Sequence, residues 1–525
     1  MKTSDFNYPS FFTPRRLDLF LVTALFVAGF VLHFLMLAQT QFDGLYGQDA
    51  YAYYDFGESL KNILNGGNLS GSFFWPLGYP ILLALGFSVF GVSASTAQII
   101  NITLGSALSP LIFILARQQS LGRLSSVISA IVMLICGQAL QSGIVVMSDI
   151  PALFWAVLSA VIVLRGASQM TLDTEVKHTG FSSLSYFMMA SALLALASIT
   201  RWLYLLLFIP WGISMLWSGM GRRPRQIGWV IIAALMVLLP QLAFSRATSA
   251  PTFNHAWVEG WSPSNAISTT FDNIDGHFEY QQINAIYYAQ PFYAKYYLSP
   301  LFAPFLILGA LWLLLRGVRI AQPNVRIKMG AVMALGWIVL PYIFLAGIPY
   351  QNIRFPLIMF PEVALMMGTG WELFTRWVKR LPTLVVRRLV FIALFSVAIV
   401  GAMQTLSTAR DTIDLFITNQ QRDKTVASWL AHYIPSEAVV YTFGLTLTLK
   451  HYTKLDVHEL YYETPATLRA KWQHGQKEYL LINVWNIEDQ WIGRDLQLSY
   501  HWLRDERGLT RLGRVGYYTL FRIGG

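Results

Sequence analysis

The stretch PLGYPILLALGFSVFG, residues 76–91, is apolar enough to enter a bilayer. Its two early prolines and roughly a dozen apolar residues suit a re-entrant or interfacial helix better than a span, which needs about 20. Each crossing inverts the chain, so whether this segment crosses decides which side of a membrane every later residue faces.

Working outward, the whole 525-residue chain is 55% hydrophobic, 14% aromatic and only 13% charged. With a mean hydropathy of +0.47, it reads as a multi-pass membrane protein. The first apolar run, Leu17 to Ala38, is longer than a signal-peptide core and lacks a clear small-residue cleavage site, so it should remain as a first span. Further runs begin near Ser95, Leu124, Asp149, Phe181, Trp202, Gln226, Leu298, Met329, Phe355 and Leu389. These predict a polytopic α-helical protein with about 11 transmembrane helices. The net charge of +10 does not point to nucleic acid, because Lys and Arg form short knots between apolar runs and not a basic stripe. Cys136 is the single cysteine, so no intrachain disulfide forms.

Those basic knots decide the opening question through the positive-inside rule. If 76–91 does not span, Arg117, Arg123, Arg165, Lys177, Arg222, Arg223, Arg225, Arg316, Arg319, Arg326, Lys328, Arg376, Lys379, Arg380, Arg387 and Arg388 all face the cytoplasm. Among the helix connections only Lys61, Arg201, Arg246, Lys295 and Arg354 then face outward. If the segment spans, the pattern inverts. It is therefore expected to be a juxtamembrane helix on the outer face of the plasma membrane, with Phe73, Phe74 and Trp75 as an interfacial belt. Composition changes near Ser407, which divides the chain into 1–407 in the membrane and 408–525 outside it. In the latter, AVVYTFG, KEYLLINVW and GYYTLFRI alternate with polar helical stretches, as in a small extracytoplasmic α/β domain.

On this topology the outer face collects Asp49 (in YGQDAYAYYDFGESL, 46–60), Asp149 (SDIP), Arg201 (ITRW), a loop from Arg246 to Tyr297, and Arg354 (YQNIRFP). Ionisable groups at the hydrocarbon boundary cost a few kcal/mol unless paired or hydrated, so they mark a site or an ion pair. Bland alternatives stand beside each. Asp49 could cap a helix lying on the bilayer through Tyr53, Phe56, Leu60, Ile63 and Leu64, with Asp55 and Glu58 on its wet face near Lys61. Asp149, before Ile150 and Pro151, also has a helix-start signature, and the arginines could snorkel. In the long loop, His255 and Glu259 are candidate substrate or metal ligands, with Asp272, Asp275, His277 and Glu279 nearby. Their spacing fits no known metal loop, and a divalent metal stays open. Tyr287, Tyr288, Tyr293, Tyr296 and Tyr297 read as an interfacial belt or a platform for sugar rings.

An outward carboxylate, outward arginines and an apolar groove suit a sugar carried on a polyprenyl phosphate. Arginine binds the phosphate by charge-assisted bonds that strengthen as the leaving oxygen gains charge. The phosphate is already a good leaving group, so the enzyme needs chiefly a base, and Asp49 could take the proton of an attacking hydroxyl. The competing reading, a lipid flippase or transporter, would place acids at mid-membrane within inverted repeats, and the sequence shows neither.

The ordered set GQDAYAYYD, WPLGYPILLALGFSVFG, MSDIPALF, ASITRWLYLLLFIP and IRFPLIMFPEVALMMGTG, over about residues 17–375, resembles the membrane glycosyltransferases of the GT-C superfamily. Within it the resemblance is to the protein O-mannosyltransferase and aminoarabinose transferase group. It implies a catalytic domain in 1–407, with Asp49 activating the acceptor, Asp149 as a second acid near the substrate sugars, and Arg201 and Arg354 at the donor phosphate. The partners it implies are a polyprenyl-phosphate sugar donor and a lipid, glycan or protein acceptor. Where the protein O-mannosyltransferases carry paired acids in the first loop, this chain has Gln48 and Asp49, and it has no WWD motif.

Overall fold

The computed structural model describes residues 14–38, 40–64, 66–67, 73–172, 183–217, 223–248, 256–318, 325–471 and 477–524. Their helices run α1 (Pro14–Leu37), α2 (Gly47–Leu64), α3 (Gly78–Phe90), α4 (Ala94–Gln118), α5 (Arg123–Ile135), α6 (Gly137–Ile144), α7 (Asp149–Leu172) and α8 (Ser183–Thr200). They continue as α9 (Phe208–Trp217), α10 (Pro224–Thr248), α11 (Ala256–Glu259), α12 (Asn284–Tyr288), α13 (Ala303–Val318), α14 (Val325–Gly347), α15 (Phe360–Val378) and α16 (Leu384–Tyr433).

Among the described residues, eight helices are long and apolar enough to cross a membrane, or nine if α5 and α6, bent by 54°, count as one span. The other two expected crossings, from Trp202 and Leu298, are present only as shorter apolar helices. The protein is thus a polytopic helical membrane protein, with two of its expected spans shorter than the sequence implied. The deciding segment folds as α3, 13 residues long. At 1.5 Å per residue it is about 20 Å long, short of a hydrocarbon core of about 30 Å. It buries Tyr79, Leu83 and Phe87 inward and leaves Leu85, Val89 and Phe90 exposed, as a helix half-sunk at a membrane edge would.

Glycine at 78 is what lets α3 sit where it does. A Cβ there would lie 2.6 Å from Thr200 Oγ1 and 2.7 Å from the Thr200 backbone nitrogen, so only a hydrogen fits between α3 and the end of α8. That contact sets the residue after Thr200, which is Arg201.

The helix ends separate charge. At one end Asp18 accepts a 2.6 Å hydrogen bond from Arg123 Nε, and Glu372 accepts from the Gly122 amide at 3.0 Å and pairs with Arg376. At the other lie Asp49, Asp149, Arg201 and Arg354, on the starts or ends of α2, α7, α8 and α15. The arrangement follows from α7, α8 and α15 alternating in direction.

Helix α2 is more enclosed than a helix lying on a bilayer. Besides Tyr53 and Phe56, it buries Tyr51 and Tyr54, because the region after 433 covers its second face. Of the expected aromatic belt, Phe73 stacks on Phe56 at 4.2 Å and only Phe74 is exposed. The tyrosine belt of the long loop is likewise partly interior. Tyr288 and Tyr297 are fully buried and donate to the carbonyls of Tyr350 and Ile353, at 2.6 and 2.5 Å. They hold the segment that carries Arg354.

The same loop forms a hairpin, β1 (Thr270–Asn273) with β2 (Gly276–Glu279). The terminal region is a five-stranded sheet of β3 (Val439–Thr442), β4 (Asp456–Glu459), β5 (Glu478–Ile482), β6 (Leu509–Val515) and β7 (Tyr518–Ile523), in the order β4-β3-β5-β7-β6. The three strand-like runs seen in the sequence are β3, β5 and β7. β3 and β5 are buried along their whole length and pair in parallel, as central strands covered on both faces do. β4 and β6 escape a sequence reading because they are edge strands, with DVHE and LTRLGRV breaking the alternation. The change of composition at 407 falls inside α16, an unbroken 50-residue helix. The apolar core of the sheet region begins on the same helix at Val426.

In that core Glu478 is buried, and desolvation pushes its carboxyl up to about 7. A carboxyl raised on folding imposes no penalty below its unfolded pKa near 4.3, and the penalty grows with pH until it is complete above about 7. Glu478→Gln is therefore expected to raise the apparent Tm at pH 8 and to leave it unchanged at pH 4. A thermal-shift series over this range checks it.

Candidate active site

Four charged side chains converge where α7, α8 and the loop before α15 meet. Asp149 lies at the start of α7, and its side chain is only 4% exposed. It takes Arg201 Nη1 at 2.7 Å on one oxygen and faces Arg354 Nη1 at 3.7 Å with the other. Arg354 reaches on to Asp49, Nη2 to Oδ2, at 3.4 Å. The order is Arg201, Asp149, Arg354, Asp49, with charges alternating.

Each arginine is oriented by neighbours as well as by charge. The Arg201 guanidinium sits 4.9 Å from the centre of the Phe355 ring, a cation–π contact. Asn352 Oδ1 accepts from both the backbone amide (3.0 Å) and Nε (3.4 Å) of Arg354. Burial works against the charge on Arg354, but the carboxylates of Asp149 and Asp49 outweigh it and raise its pKa. Asp49 is different in kind, because its side chain is 35% exposed and only its long contact to Arg354 holds it. It occupies the first turn of α2.

Two cavities meet at this row. The first, about 320 Å³, is largely apolar, lined by Trp75, Leu203, Leu206, Phe344 and Phe355, with Arg201 in its wall. Leu205 also lines an apolar groove of about 380 Å³ between α8, α9 and α10. The second cavity, about 360 Å³, is lined by Gln48, Gln138, Gln141, Ser142 and Asn352. Asp49, Met147 and Arg354 belong to the walls of both. The bend between α5 and α6 is what aims the glutamines of α6 at the second cavity. Its new start is secured by the Gln138 amide donating to Tyr296 O at 2.9 Å.

Residues 76–256 match the family model of dolichyl-phosphate-mannose-protein mannosyltransferase. Across 97% of its length the chain also superposes on 98% of ArnT from Cupriavidus metallidurans bound to undecaprenyl phosphate, at 13% identity and a TM-score of 0.58. It superposes to the same extent on 74% of the archaeal oligosaccharyltransferase AglB from Archaeoglobus fulgidus in complex with an inhibitory peptide and a dolichol-phosphate, at 13% identity and 0.61. No curated protein matches the sequence. The chain therefore shares the fold of ArnT and AglB, in line with the resemblance to the GT-C superfamily seen in its sequence.

In this fold the four residues singled out in the sequence, Asp49, Asp149, Arg201 and Arg354, come together. Of the described candidates of the long loop, none joins them. His255 lies outside the described residues, and Glu259 is exposed, although its neighbour Val258 lines the first cavity. Among the described residues no three His, Cys, Asp or Glu side chains gather as a metal site would need. His277 pairs instead with Asp272 of its own hairpin, at 2.9 Å.

The site also includes residues that a sequence reading passes over. Tyr53 donates or accepts at 3.1 Å with Ser148, and burial together with the Asp49 carboxylate keeps its hydroxyl neutral by pushing its pKa up. Gln48 is spent on the region after 433, donating to Gly444 O and accepting from the Leu447 amide, both at 2.8 Å. Nothing in the sequence pointed to this contact.

The two aspartates should separate by stability. Asp149→Ala leaves two arginines without their shared carboxylate and is expected to cost about 3–5 kcal/mol. Asp49→Asn, at a half-exposed position, should cost less than about 1 kcal/mol. Denaturant melts in detergent compare them.

Proposed function

We propose that the protein transfers a sugar from a polyprenyl-phosphate donor to an acceptor hydroxyl at the extracytoplasmic face of the cytoplasmic membrane, with inversion at the anomeric carbon. The observation that carries this is the sharing of Asp49 and Arg354 between an apolar cavity with an arginine in its wall and a polar one. The fold is that of proteins whose solved structures hold undecaprenyl phosphate or a dolichol-phosphate, which supports a lipid-phosphate donor here. The basic helix ends on the far side support an outward-facing site.

The donor's tail would lie in the apolar groove past Leu205, and its phosphate would meet Arg201 and Arg354. As the bond from the anomeric carbon to the phosphate oxygen breaks, that oxygen keeps the electron pair, and the arginines offset the growing charge. On the opposite side the acceptor oxygen forms its bond to the same carbon, and its proton passes to the Asp49 carboxylate. Attack from the face opposite the leaving group inverts the centre. Asp149 positions the two arginines.

Asp49→Asn is expected to lower the transfer rate about 10²- to 10⁴-fold while purified protein still binds undecaprenyl phosphate. Arg201→Ala should weaken that binding at least tenfold. Transfer of radiolabelled sugar from polyprenyl-phosphate donors in proteoliposomes reads both. Full transfer by Asp49→Asn would falsify the base assignment.

A further inference from the structure

The second cavity has a chemistry of its own. Its charged lining residues are Asp49 and Arg354, and that arginine already faces two carboxylates. The remaining polar groups are neutral amides and a hydroxyl, and most are committed. Gln48 is used by the region after 433, Gln138 Nε2 donates to Ser142 Oγ at 3.0 Å, and Asn352 Oδ1 is held by Arg354. Gln141 is the exception. It is 3% exposed, it lines the cavity, and its Nε2 has no hydrogen-bond partner.

A buried amide donor left without an acceptor costs about 1–3 kcal/mol, so this side chain in the cavity wall gains by turning its amide to an oxygen brought by a ligand. The wall also carries Tyr46 and Phe416, edge to face with centres 4.7 Å apart. A sugar ring matches both features, because it has an apolar C–H face for an aromatic ring and neutral hydroxyls for an amide. An anionic headgroup matches less well, since the cation in this wall, Arg354, is shared with the first cavity, where the donor phosphate would meet it, and Arg201 lines only the first. The volume of about 360 Å³ is at the low end for small-molecule cavities, which suits a single sugar unit more than an extended peptide.

We infer that this cavity seats a neutral sugar residue of the acceptor, packed against Tyr46 and Phe416 and held by Gln141 Nε2, with its attacking hydroxyl toward Asp49. The inference rests on the transfer reaction proposed above, and it makes the acceptor an uncharged glycan in place of a phosphorylated sugar or a peptide.

The test uses full-length protein in nanodiscs with undecaprenyl phosphate present. Saturation-transfer NMR is recorded with a panel of methyl hexosides and pentosides, with hexose 6-phosphates, and with a Ser/Thr-containing peptide. The expected result is signal from at least one neutral glycoside and from neither of the other classes. Gln141→Met, close in shape but without the donor, and Phe416→Ala should each weaken glycoside binding about tenfold while undecaprenyl phosphate binding is unchanged. That unchanged binding also shows that the variants are folded.

Preferred binding of the phosphates or the peptide overturns the inference. So does the absence of any glycoside signal from protein that binds undecaprenyl phosphate, which leaves the donor assignment standing. If Gln141→Met weakens a polyprenyl-phosphate sugar donor and not the glycoside, the cavity holds the donor's sugar and the inference is wrong. Failure to bind undecaprenyl phosphate at all removes the proposed reaction, and this inference with it.

Discussion

The carboxylate of Asp149 is the contact on which the site depends. It is buried at the end of α7 and faces one arginine from the end of α8 and another from the loop before α15. Three segments that are distant in sequence are thereby fixed at one point. A buried carboxylate gains net stability only when its partners are well placed, so its presence requires the surrounding packing to be right. Much of the nearby structure can be understood that way. Gly78 admits α3 against Thr200, Phe355 lies under Arg201, and Tyr288 and Tyr297 hold the strand of chain that bears Arg354.

With the arginines held by Asp149, Asp49 is left comparatively free at the border of two unlike cavities. The apolar one continues past Leu205 toward the membrane-facing groove, and the polar one is roofed by the contact of Gln48 with the terminal region. The division of labour is electrostatic. One aspartate is paired twice and nearly inaccessible, and the other is paired once, at longer range, and open to solvent.

Much of this was legible in the sequence. Basic residues are costly to translocate, so their distribution predicted, without any knowledge of packing, that Asp49, Asp149, Arg201 and Arg354 share one end of the helices, where the structure brings them together. What could not be read depends on tertiary contact. Tyr288, Tyr297, Phe73 and Trp75 looked like residues of a membrane interface because aromatic composition is the same at an interface and in a core. Trp202 and Leu298 begin runs apolar enough to predict spans, but turns of tight helix and prolines shorten the helices that form. Gln141 gave no signal at all, since the glutamines of GQALQSGI gain meaning only once the bend at Cys136 turns α6 toward the cavity.

Helix α16 carries a last consequence. It runs without a break from the apolar segment into the sheet region, and on the way it clamps the first loop: Arg410 donates to Met36 O at 2.8 Å, Gln420 to Leu45 O at 2.6 Å, and Lys424 to Asp43 at 2.9 Å. Adding or removing one residue between Arg410 and Lys424 would turn everything beyond it by about 100° and shift it by about 1.5 Å along the axis. No two of these clamps could then stay in register across the change. Loops usually absorb insertions and deletions, but here the length of the connector is set by helical pitch, and the position of the first loop against the sheet region is set along with it.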